Sequence, residues 1–214
     1  MGTDNLHHPR KERLTASLRR QSAKRKPYDL VLIVCEGSKT EPYYFEQLRD
    51  DLKLSTANIE IVGYGVDPLT LVTRAIKIDK QSRYDHIYCV FDKDIHPSYP
   101  EALQKINKTP RFHAIHSVPC FEYWLLLHFI YTTQPFHSSG NLSVCEIVIK
   151  SLKKYLPNYD KTDELIFEKI KDQMDLAIQR ARAVEQYHQE HATGTDNPST
   201  RVYKLVEYLR NLKK

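Results

Sequence analysis

Two apolar runs in this sequence end in acids. DLVLIVC (29–35) stops at Glu36-Gly37, and HIYCVF (86–91) stops at Asp92-Lys93-Asp94. Runs this short and this rich in β-branched residues read as buried central strands. In open parallel sheets, side chains from separate strands converge just beyond the carboxyl ends. Glu36, Asp92 and Asp94 brought together there repel one another, and a cation offsets the repulsion. A ligand set made only of oxygens favours Mg²⁺ or Mn²⁺ over zinc. The Asp-x-Asp spacing puts Asp92 and Asp94 on one side of an extended strand. A fourth acid, Glu122, sits inside the apolar run FEYWLLLHF (121–129), where a carboxylate needs a partner or a cation. The expected metal set is therefore Glu36, Asp92, Asp94 and Glu122.

Other residues are placed by the same logic. Gly37 lets the turn after Glu36 fold tightly and leaves room for a substrate phosphate. Lys39 stands in that loop, where it meets a phosphate or remains a solvated cation. Ser117 falls where a fourth strand ends and is a candidate substrate contact. Glu41 begins the following helix and is read as a favourable interaction with the helix dipole. Lys93 is flanked by the two aspartates but points to the opposite face if the backbone stays extended. His96 and His116 have no partner identifiable in sequence and are assigned structural roles, and Trp124, Leu125, Leu127 and His128 are assigned to the core.

The elements that position these groups follow from hydrophobic spacing. Strands are expected at 29–35, 58–62, 86–91 and 111–116. Helices are expected at 41–52, from Asp67-Pro68 to about residue 81, at 101–107 and at 120–129. Strand–helix alternation up to about residue 131 predicts an α/β fold: a mostly parallel, Rossmann-like sheet of about four strands flanked by helices. Beyond it the chain reads as a helical C-terminal region, with helices at 144–155, 163–191 and 199–212, the last capped by Asn197-Pro198-Ser199. The organisation is thus a basic arm (1–26), an α/β core (27–131) and a helical extension packing on it (132–214).

Composition narrows the class. Hydrophobic residues at 41% and charged residues at 28% predict a folded chain rather than a disordered one. No apolar run approaches the roughly 18 residues of a membrane span, and MGTDNLHHPRKER has no signal-peptide character. A cytoplasmic location without membrane association is expected. Cys35, Cys89, Cys120 and Cys145 form no C-x-x-C pair and read as reduced cysteines of a cytosolic protein. Net charge is +5, and eight Lys or Arg precede residue 27 against only Asp4 and Glu12. Such an arm suits a nucleic-acid backbone, and a solvated tail is the other reading.

Glu-Gly after the first strand and Asp-x-Asp after a later one resemble the Toprim domain of topoisomerases, bacterial primases and overcoming-lysogenization-defect type nucleases. The closer resemblance is to the RloB-like family, small Toprim-like proteins often encoded near restriction systems. It is carried by VCEGSKTEPYYF (34–45), VFDKD (90–94), SVPCFEYWLLLHF (117–129) and NPST (197–200) followed by a helix, and runs from about residue 27 to the end. The resemblance implies a Toprim-like core, Glu36 as general acid or base, and Asp92 and Asp94 as metal-binding acids. It implies a Mg²⁺- or Mn²⁺-dependent nuclease acting on DNA or RNA in antiphage defence, with a possible defence-system partner protein. The alternative is a non-catalytic nucleic-acid-binding or assembly subunit of such a system. A haloacid-dehalogenase-type phosphatase also uses Asp-x-Asp, but usually with Thr or Val two positions after the second Asp, where His96 stands here.

Overall fold

The computed structural model of the protein describes residues 29–212 except 57, 83, 94 and 95. The basic arm and Asp94 therefore lie outside the described residues. Strand β1 (Val31–Cys35) is followed by α1 (Thr40–Asp51), β2 (Ile59–Gly63), α2 (Pro68–Ser82), β3 (His86–Asp92), α3 (Tyr99–Asn107), β4 (Phe112–Val118) and α4 (Glu122–Leu127). Then come α5 (Val144–Leu152), α6 (Ile166–Ile170), a 3₁₀ turn (Lys171–Gln173), α7 (Met174–Glu190), β5 (Ser199–Thr200) and α8 (Val202–Leu212).

The strands form one sheet in the order β2-β1-β3-β4-β5. The first four strands are parallel, and β5 runs antiparallel against β4. Val31, Ile33 and Cys35 of β1 face one core with Tyr44, Phe45 and Leu48 of α1, while Leu32 and Val34 face the other with Leu71, Val72 and Ala75 of α2. That alternation is why β1 reads as a continuous apolar run: both faces are covered. The first core is much the larger. It takes in α4 to α8 and is centred on Trp124, Tyr44 and Tyr123, all fully buried.

This order has a functional consequence. The chain leaves β1 toward β2 on one side and leaves β3 toward β4 on the other. The loops after β1 and β3 thus diverge, opening a crevice at the carboxyl ends of the two strands. Glu36 and Asp92 stand there.

Two expectations about the C-terminal region are corrected. Residues 163–191 are not one helix, because the chain turns at Lys171–Gln173. The turn lets both Phe167 and Met174 reach Tyr44: the rings of Tyr44 and Phe167 lie 5.5 Å apart edge-to-face, and the Tyr44 hydroxyl donates to Met174 Sδ at 3.5 Å. Ser199 does not open a helix. Ser199 and Thr200 extend the sheet as β5, and α8 begins at Val202, whose N–H is accepted by Thr200 Oγ1 at 3.2 Å. A strand that short carries no alternation to read. For that reason no local pattern in the sequence predicts the fifth strand.

Candidate functional site

Glu36 is fixed through its backbone before its side chain acts. Its N–H donates to Val90 O at 2.9 Å, and its carbonyl accepts Gly65 N–H at 2.7 Å. The carboxylate then reaches β3, where Oε2 accepts the Asp92 N–H at 2.9 Å. Oε1 lies 3.4 Å from His96 Nε2, so the histidine that had no partner in sequence acquires one through the fold.

Asp92 projects to the α1 side of the sheet, with Tyr88 and Val90. Burial pushes its carboxyl well above the usual range, and Glu41, Glu122 and Glu36 push it further. Glu41, in the first turn of α1, is 7% exposed and accepts the Gly37 N–H at 3.2 Å. Burial raises its pKa to about 7, with Glu122 adding to the rise, against backbone hydrogen bonds and Lys161. Glu122 opens α4 and is 2% exposed. Its Oε1 accepts the Tyr159 hydroxyl at 3.1 Å and pairs with Lys161 Nζ at 3.0 Å. The partner demanded by an acid in an apolar helix is thus a lysine from the loop between α5 and α6. The Thr40 hydroxyl holds that loop by donating to Lys161 O at 2.9 Å.

Glu36, Lys39, Glu41, Asp92, Glu122 and Lys161 all line one cavity of about 250 Å³. Of the residues singled out from the sequence, Glu36, Asp92, Glu122 and Lys39 line this cavity, and Glu41 and Lys161 line it with them. Ser117 is not among the residues lining this cavity. It is 1% exposed, and its hydroxyl lies 2.8 Å from that of Thr200. Lys93 points to the other face, pairing with Asp196 at 2.8 Å and lying over the Tyr99 ring. His116 lines a different cavity with Arg201 and Asp196. Burial, then Arg201, lowers its pKa to about 4, so it is neutral at physiological pH. Among the described residues, no three His, Cys, Asp or Glu side chains are gathered closely enough to hold a metal ion. The four acids are electrostatically coupled without being collected.

The room expected beside Gly37 is taken by Glu41. A Cβ on Gly37 would lie 2.1 Å from Glu41 Oε2, and one on Gly63 would lie 2.6 Å from Gly37 O and 2.5 Å from Pro42 Cγ. A carboxylate can swing away, whereas a backbone carbonyl cannot. Gly63→Ala is accordingly expected to lose about 1–3 kcal/mol of stability. Gly37→Ala is expected to lose less and to move Glu41 out of the cavity. Urea denaturation of both variants checks the order, and equal losses contradict it.

Among the described residues no helix is long and apolar enough to cross a membrane. No curated protein and no solved structure matches the chain. The model of the RloB-like protein family matches residues 31–209, from the start of β1 to within α8. That span holds both halves of the sheet and every acid of the cavity, and the chain belongs to the RloB-like family.

Proposed function

We propose that this protein is a divalent-cation-dependent phosphodiesterase of Toprim type that cleaves DNA or RNA. The observation that carries the reading is that Glu36, Glu41, Asp92 and Glu122, from three separate segments, line one cavity at the carboxyl edge of the sheet. A protein does not ordinarily bury acids against one another unless a cation offsets them. The donors are all carboxylate oxygens, which suits Mg²⁺ or Mn²⁺, and burial, then repulsion from Glu41, Glu122 and Glu36, raises the Asp92 carboxyl. A bound ion would polarise a phosphoryl oxygen and orient the phosphate.

The chain's own residues supply the rest. Glu36 is oriented by the Asp92 N–H, and with His96 it can hold a proton at Oε1. Lys39, in the loop that lines the cavity, faces an incoming phosphate. Antiphage defence, with a further protein of that system as a partner, is the setting implied by the resemblance of the sequence motifs. The test is to incubate the protein with single- and double-stranded DNA and RNA, with Mn²⁺, with Mg²⁺ and with EDTA. Cleavage requires the ion and falls roughly 100- to 10,000-fold in Glu36→Gln. Cleavage that is unchanged in EDTA or in Glu36→Gln sinks the reading. Nucleic-acid binding without cleavage, surviving EDTA, supports a non-catalytic binding subunit instead.

A further inference from the structure

The pair between Glu122 and Lys161 is lopsided. Glu122 is 2% exposed and begins a helix packed on all sides, whereas the Lys161 side chain is 56% exposed and comes from a loop. The acid cannot leave the cavity, but the ammonium can. Breaking such a pair by removing the cation alone leaves a buried charge uncompensated, so any state in which Lys161 departs needs a substitute. The loop is nonetheless registered on the site. Its backbone accepts the Thr40 hydroxyl at the start of α1, one residue before Glu41, and Tyr159 from the same loop shares Glu122 Oε1. The cavity therefore carries a tethered ammonium among four acids that line the same small space.

We propose that Lys161 is the counter-cation of the metal-free cavity and that an entering divalent ion displaces its ammonium from Glu122. This rests on the reading of the cavity as a cation site. The two cations compete because they neutralise the same carboxylate and repel each other across one small space. The lysine holds the acids together without metal, weakens binding of the ion, and leaves a free ammonium at the cavity mouth once the ion is in place.

The experiment is Mn²⁺ binding, read by electron paramagnetic resonance of the free ion, with thermal unfolding in EDTA alongside. Wild type, Lys161→Met and Lys161→Arg are compared. Lys161→Met is expected to bind Mn²⁺ about tenfold more tightly than wild type. Its unfolding temperature is lower in EDTA and recovers at saturating Mn²⁺. Lys161→Arg keeps a competing charge and stays within about threefold of wild type. Mn²⁺ affinity that is unchanged or weakened in Lys161→Met, with wild type binding normally, overturns the proposal and leaves the cation site standing. Absence of Mn²⁺ binding in all three proteins overturns both.

Discussion

Asp92→Asn is expected to lower nucleic-acid cleavage roughly a thousandfold or more while making the metal-free protein more stable. The two effects have one origin. Burial raises the Asp92 carboxyl well above its ordinary range, and Glu41, Glu122 and Glu36 add repulsion in that order. Without a cation, holding an acid there works against folding. Asn has the same shape and no charge, so stability at neutral pH rises. The Asp92 N–H donated to Glu36 is a backbone group and survives the substitution. Glu36 therefore stays oriented, and the loss of activity reports the missing charge. Urea denaturation in EDTA and a cleavage assay in Mn²⁺ read the two arms. A variant that loses stability as well as activity would place Asp92 among structural residues.

The second large effect is on the pH dependence of stability. Glu41 has its pKa raised from 4.5 to about 7. Between those values the folded state holds a proton that the unfolded state has lost. The Glu41 contribution is therefore complete below pH 4.5 and is lost as pH rises to about 7. The amount is on the order of 3 kcal/mol. Asp92 acts in the same direction from 3.8 upward. His116 and His128 act in the opposite direction. Burial lowers each to about 4, so their contributions grow as pH rises from there to 6.5. The wild-type curve alone mixes these terms, so the informative quantity is a difference. Glu41→Gln, measured in EDTA, is expected to gain on wild type by that amount between pH 4.5 and 7, and the gap is constant outside this window. A gap that does not change with pH would mean that Glu41 ionises in the fold as it does in water.

The sheet was legible because parallel strands covered on both faces must be apolar throughout, and β1 and β3 are. Their ends could be read for the same reason: an acid at the edge of such a run is where apolar cover stops. Glu122 was legible as an acid that α4 could not leave bare. The identity of its partner was not, since Lys161 and Tyr159 sit in a loop with no periodicity, and only the packing of α6 on α1 brings that loop to the cavity. Glu41 was visible, but only as a partner of the helix dipole. Its position in the first turn of α1 suits the helix dipole, yet its carboxylate folds back over Gly37 and is buried among acids. Ser117 stood at the correct edge, level with Asp92 in the sheet, and its hydroxyl turned to Thr200 because β5 covers that edge. Nothing in the local sequence announces a two-residue strand arriving from more than 80 positions away.

The cavity at the ends of β1 and β3 is expected to take up a divalent cation. Calorimetric titration of Mn²⁺ into wild type and Asp92→Asn tests it most directly. Saturable binding to wild type, with binding lost or weakened at least about tenfold in Asp92→Asn, is the predicted result. Equal binding by the two proteins, or none by either, contradicts the account and makes these carboxylates ordinary residues of a strand edge.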